Sequence, residues 1–306
     1  MIRQKVIFCG KGIKPKYKEL DLYPQPTKTK SGRRVKKNKS TTTQMSLNYK
    51  NAQRYLHQLV KANFCTGGYR IDLTYDDEYL PKTIEDADRI VRNFIKKISR
   101  ECKKRGLEPL KYIQVDEGKD GGRLHHHMII NDVLPREEIE AMWCAGRGKN
   151  KKALGYCNVD KLRFTVKGIG GLVHYITKQM KGKQTEGQIC FDTVEGKELS
   201  LADLLVDDTD RKKRWKQSQN LIKPWERTRD NAMTRKEVET LSKLPEDCEE
   251  IRKFVEKRIK GYEMDTFRRE YNELTGWSFY ATLHRKDEPQ KEIQEDKDNK
   301  KNAPSG

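Results

Sequence analysis

The sequence predicts an α+β fold in which helices pack against an antiparallel sheet. Three observations carry that expectation. From Tyr69 to Tyr75 the chain alternates, with Tyr69, Ile71, Leu73 and Tyr75 on one side of a strand. Ile84, Ala87, Ile90, Val91, Phe94, Ile95 and Ile98 recur as a single apolar helical stripe. Between Tyr112 and Asn131 two strand-like runs flank the glycine-rich stretch Gly118–Arg123, which reads as a hairpin.

The elements follow in order. Residues 1–46 read as a basic N-terminal arm with a possible short strand at Lys5–Cys9. Within the arm, Pro24–Thr43 is Pro, Lys, Arg, Ser and Thr with almost no apolar residue, either a solvated linker or an arm that grips DNA. Leu47–Phe64 has helical spacing in Tyr55, Leu59 and Ala62, and in Ala52 and Leu56. Asp76, Asp77 and Pro81 end the strand that follows. Thr83 and Asp86 then stand at capping-box spacing before the striped helix, which Gly106 and Pro109 close. After the hairpin, Pro135 opens a helix through Trp143. Gly146–Lys152 is a basic loop, Tyr156–Asp160 and Arg163–Val166 read as strands, and a helix carries Tyr175. This core is expected over residues 47–183. Residues 184–285 read as a smaller mixed C-terminal region, with helices at Thr234–Leu241 and Glu249–Lys260 and a strand at Trp277–His284. Residues 286–306 read as a disordered tail.

Composition narrows the function. The 65 Lys and Arg against 46 Asp and Glu give a formal charge of +19, which favours a polyanion such as nucleic acid. No apolar run is long enough to span a membrane, and no signal peptide is legible at Met1–Gly10. The seven cysteines are scattered with no Cys-x-x-Cys, the pattern of free thiols in a cytosolic protein. None of the Gly-Lys pairs is followed by Ser or Thr, so no phosphate-binding P-loop marks an ATPase.

Two constellations carry chemistry. His125 and His127 are two apart on a strand, so their imidazoles share a side while His126 points away. They suit a divalent metal, Mn or Mg, once a carboxylate joins them. Glu117 is the chosen third ligand, with Asp116 and Gln114 as alternatives of opposite parity. The plainer alternative is a polar strand with a chance cluster of histidines. Tyr175 and Lys178 lie three apart on a helix and share a face. A phenol is a poor nucleophile at neutral pH unless assisted. A metal on the phosphate and a lysine near the developing charge would assist it. Val173, Ile176 and Met180 also suit an ordinary amphipathic helix, with Tyr175 at its edge.

Three segments together resemble the His-hydrophobic-His (HUH) endonucleases, specifically the rolling-circle replication initiators of bacterial plasmids, phages and integrative elements. They are Leu73–Pro81 (LTYDDEYLP), Arg123–Asn131 (RLHHHMIIN) and Gly171–Lys178 (GLVHYITK). Arg214–Leu221 and Tyr271–Trp277 are also similar to proteins of these elements. The resemblance implies a ferredoxin-like antiparallel sheet carrying the metal and a neighbouring helix carrying the tyrosine. It implies metal-dependent nicking and rejoining of single-stranded DNA at a replication origin through a 5′-phosphotyrosine. Expected partners are that origin DNA and a host helicase and polymerase, with no membrane, in the cytoplasm of a bacterial host. The site residues this gives are Tyr175 and Lys178 for catalysis and His125, His127 and Glu117 for the metal. Arg33, Arg34, Lys36, Lys37, Arg123, Arg214 and Lys216 are the DNA contacts. Two departures stand out: His126 fills a place usually held by an apolar residue, and the motif has a single tyrosine. Alternatives are a single-tyrosine transposase or conjugative relaxase and, in another class, a non-catalytic basic nucleic-acid-binding protein.

Overall fold

A computed structural model describes residues 1–25, 42–64, 67–118, 123–146, 148–162 and 215–286. The Tyr175–Lys178 helix, Arg33, Arg34, Lys36, Lys37, Arg214 and the tail beyond 286 lie outside the described residues. The elements are β1 (Ile2–Cys9), β2 (Tyr17–Pro24), α1 (Thr42–Asn63), β3 (Tyr69–Leu73), α2 (Ile84–Lys104), β4 (Tyr112–Glu117), β5 (His125–Ile130) and α3 (Arg136–Ala141). There follow β6 (Cys144–Ala145), β7 (Lys152–Ala153), β8 (Cys157–Lys161), β9 (Lys216–Gln217) and β10 (Trp225–Arg229). Helices α4 (Arg235–Lys243) and α5 (Glu249–Arg258) precede β11 (Tyr262–Asn272) and β12 (Gly276–Arg285).

Mixed helices and antiparallel sheets make this an α+β fold, as the patterning predicts. The histidine-bearing sheet has strand order β8-β3-β5-β4-β9, and a second sheet has order β10-β1-β2-β12-β11. Every pairing within them is antiparallel.

Strand parity assigns the faces of the histidine sheet. Ile71, Leu73, Met128, Ile130 and Val159 lie on one face, where Val91, Phe94 and Ile98 of α2 cover them. Ile113, Val115 and Ile129 lie on the other, under Leu56, Leu59, Val60 and Phe64 of the α1 segment. Helix α2 begins as its sequence predicts: the Thr83 hydroxyl accepts a hydrogen bond from the Asp86 backbone N–H at 3.1 Å. Thr234 caps α4 with a full capping box to Glu237. Residues 215–222 return to the histidine sheet. Ser218 N–H donates to the Tyr112 carbonyl at 3.0 Å, and the Asn63 side chain exchanges hydrogen bonds with the backbone of Ile222.

The N-terminal residues differ from the expectation of one short strand at Lys5–Cys9. They supply two full strands, β1 and β2, which join the C-terminal strands in the second sheet. Leu20 and Leu22 of β2 are buried against Ile251 and Val255 of α5. The alternate residues Glu19 and Asp21 are also buried, because α1 presents cations to them. Arg54 reaches Glu19 at 2.7 Å and Asp21 at 2.5 Å, while Gln58 donates to Glu19 at 2.7 Å. Burial alone would raise the Glu19 carboxyl, but the charges of Arg54 and Lys61 outweigh it and hold it below the usual range. Ala62 packs beside Ile7, Cys9 and Tyr17, so α1 touches both sheets.

Arg54→Ala strands two carboxylates in this interface and should destabilise the protein by about 3–5 kcal/mol in urea unfolding. Thr83→Ala, which removes one exposed cap, should cost only about 1 kcal/mol. The contrast separates the buried cluster from ordinary exposed hydrogen bonds.

Candidate metal centre

β5 lies between β3 and β4, and its register places each histidine. Glu117 pairs with His125, Val115 with His127, and Asp72 of β3 with His127. Gly118 then turns the chain with φ +88°. A Cβ there would lie 2.3 Å from the Arg123 carbonyl oxygen, so the close approach of the two hairpin arms requires glycine.

His125, His127 and Glu117 meet on the α1 side of the sheet, past the end of the apolar patch that α1 covers. Each offers one ligand atom, and these atoms all lie within 4.8 Å of one another. The Nε2 atoms of His125 and His127 approach the same Glu117 oxygen at 2.9 and 3.2 Å. His127 is 3% exposed, while His125 and Glu117 are partly open.

The outer partners set the tautomers. His127 Nδ1 donates to Asp72 at 2.5 Å, and His125 Nδ1 donates to the Arg123 carbonyl at 3.0 Å. Both acceptors lack a proton to give, so each Nδ1 carries the hydrogen and each Nε2 lone pair faces inward. Two inward lone pairs and a carboxylate repel one another unless a cation lies among them. The donor set therefore fits a divalent ion, and it is open enough for other oxygen ligands. Burial would raise Asp72, but hydrogen bonds from His127 and Arg70 hold it below the usual carboxylate range. Sequence patterning does not single out this outer carboxylate. Its one signal is parity: Asp72 lies between Ile71 and Leu73, and only the β3–β5 register aims it at His127.

The opposite face holds His126, which is 1% exposed. Its Nδ1 donates to Asp116 at 2.7 Å, and its Nε2 accepts the Tyr75 hydroxyl at 2.8 Å. Burial, followed by the charges of Asp116 and Asp88, pushes the Tyr75 phenol up, so it stays a donor. Lys216 completes this cluster by pairing with Asp116 at 3.0 Å and with Asp88. Arg123 pairs with Asp77 at 2.6 Å and donates to the Tyr75 carbonyl, joining the segment Leu73–Pro81 to the histidine hairpin. Asp116 and Gln114, the alternative ligands, face this second cluster, where Gln114 donates to Asp116 at 2.6 Å.

Residues 69–181 match the family model of the replication-associated proteins of the ORF2 type. The matched segment begins at β3, contains both histidines and Glu117, and extends through Tyr175 and Lys178. It covers all three motifs behind the resemblance to rolling-circle initiators, and a His-containing triad of the HUH kind is present. A replication-associated family is consistent with the basic charge. Searches of curated proteins and of solved structures return no match. No described helix is long and apolar enough to cross a membrane.

Asp72→Ala should weaken Mn(II) binding, read by titration calorimetry, by about 10–100-fold while leaving the three ligands in place. Because the folded Asp72 carboxyl lies below its unfolded value, its stabilising effect is complete above the unfolded range. It is lost as pH falls through the folded value. The stability gap between wild type and Asp72→Ala should therefore close in acid and open above about pH 4 in a series of urea titrations.

Proposed function

We propose that this chain is a rolling-circle replication initiator, which nicks and rejoins one strand of DNA at an origin through Tyr175. The observation that carries this reading is the meeting of His125, His127 and Glu117 on one sheet face, within a segment matching a replication-associated family. A bound divalent ion, Mn or Mg, would withdraw charge from the scissile phosphate.

The residues divide the work. His127, held by Asp72, and His125, held by the Arg123 carbonyl, fix two ligand directions. Glu117 supplies the negative charge that makes the site selective for a cation. The Tyr175 oxygen attacks phosphorus, the bond from phosphorus to the 3′ oxygen breaks, and the phenolic proton leaves. The products are a 5′-phosphotyrosine and a free 3′-hydroxyl. Lys178, one helical turn on, stabilises the developing charge or manages the proton. The bond energy is conserved, so attack by a 3′-hydroxyl on the phosphotyrosine rejoins the strand. The chain carries no P-loop, so the reading takes unwinding and synthesis from a host helicase and polymerase in the cytoplasm.

The test is a denaturing gel of the full chain incubated with Mn or Mg and a pool of labelled single-stranded origin sequences. A protease-sensitive adduct should form. It should disappear in Tyr175→Phe, and cleavage should vanish in His125→Ala and His127→Ala while DNA binding persists. An undiminished adduct in Tyr175→Phe would sink the assignment of the nucleophile. No adduct on any sequence would favour a non-catalytic DNA-binding protein.

A further inference from the structure

A second cleft lies on the opposite face of the histidine sheet from the metal centre, between α2 and the β6–β7 hairpin. Its volume is about 650 Å³, within the range of small-ligand sites. The basic loop Gly146–Lys152 forms one wall and the C-terminal half of α2 the other. Gly146 makes the loop's tight turn: φ is +76°, and a Cβ there would lie 2.2 Å from the Asn150 carbonyl oxygen.

The charge in this cleft is one-sided. Lys96, Lys97, Arg100 and Lys151 line it, against a single acid, Glu101. Glu101 is already taken by Arg105 at 2.7 Å. Lys97 reaches across to the hairpin and donates to the carbonyls of Met142 at 3.1 Å and Cys144 at 2.6 Å. Those partners are neutral, so its charge remains. Lys96, Arg100 and Lys151 make no ion pair with a carboxylate among the described residues. Below the cations the floor is apolar, with Ile90, Met142 and Ala145 half-buried.

The geometry points to a binding site for a segment of single-stranded DNA, with phosphates on the Lys96, Arg100 and Lys151 rim and an unstacked base on the Met142–Ala145 floor. A cationic rim alone would serve any phosphate. The apolar floor selects a strand whose bases are free, because a duplex keeps its bases stacked inside. The inference takes DNA as the ligand from the reading above, but it needs neither the metal nor Tyr175. A strand held here lies on the other face of the sheet from the nicking centre, so it is a different stretch from the one being cut.

The test is fluorescence anisotropy of the full chain with a labelled thymidine oligomer, in EDTA and over a salt series. Ala145→Phe fills the floor without changing charge, and should weaken binding several-fold with an unchanged melting temperature. Neutralising Lys96, Arg100 and Lys151 together to Gln should lower affinity and flatten the log–log salt slope by about 2. The same change at the exposed Lys253, Lys257 and Lys260 of the α5 region should do much less. Wild-type affinity in Ala145→Phe, or equal losses in the two triple variants, would overturn the proposal. Should Ala145→Phe fold poorly, photocrosslinking decides. An iodouracil oligomer on the wild-type chain should label the peptide spanning Met142–Lys152, and crosslinks found only elsewhere would overturn the site. Failure of the nicking reading would show separately, as an absent adduct on the denaturing gel.

Discussion

The period-two alternation of β5, pinned between two partners, is the constraint on which the site depends. Side chains on a strand alternate faces, so a slip of one residue would exchange His126 for His125 and His127. Both neighbours oppose that slip. On the metal side, Asp72 and Glu117 are placed to meet His127 and His125. On the other side, Tyr75 and Asp116 are placed to satisfy His126. Shifting the register would bury the polar groups of one set against apolar residues and leave the other set unpaired, which costs more than any gain in packing. The same hydrogen bonds that hold the ligands therefore hold the strand.

This also explains why three successive histidines are compatible with a packed sheet. His126 occupies a position where an apolar side chain would suffice for packing. Its burial is tolerated because both ring nitrogens have partners, and one partner, Asp116, is neutralised by Lys216. Desolvation would lower the Lys216 ammonium, but Asp88 and Asp116 outweigh it and raise it, which keeps the charge in place. The cluster links α2, β4 and the returning strand β9. It thereby fixes the backbone next to Glu117 from the side away from the metal.

Helix α1 plays a corresponding part between the sheets. Its apolar face completes the core behind Ile113, Val115 and Ile129, while its opposite face carries Arg54, Gln58 and Lys61 to Glu19 and Asp21. A helix with apolar residues on one side and charges on the other would ordinarily leave the charged side in water. Here that side meets a sheet whose strand β2 offers matching carboxylates.

Local pattern made much of this legible. The Thr83 cap, the stripe of α2, the hairpin of β4 and β5 and the capped helix α4 all depend on neighbours within a few residues, and all stand where their patterns place them. The pairing of His125 with His127 and the choice of Glu117 over Asp116 also follow from parity alone. Other elements were hidden because their partners are remote. β2 reads as a polar mixture since Lys18, Glu19 and Asp21 interrupt its apolar residues, and only α1 makes those acids burial-competent. β11, rich in Arg and Glu, is a strand because β12 pairs along its length. Lys216 and Arg123 look like free cations in a basic chain, yet the fold gives each a carboxylate partner.

By itself, then, the sequence determined the α+β class, the histidine pair with its carboxylate, and the family resemblance, because each rests on spacing along one or two adjacent elements. The tertiary structure alone decided that Asp72 orients His127, that His126 is a buried strut, and that the N-terminal strands pair with the C-terminal ones. The physical reason is that these depend on strand register and on charge neutralisation between residues far apart in the chain. Such partners are chosen when the surfaces close together, after local preference has had its say.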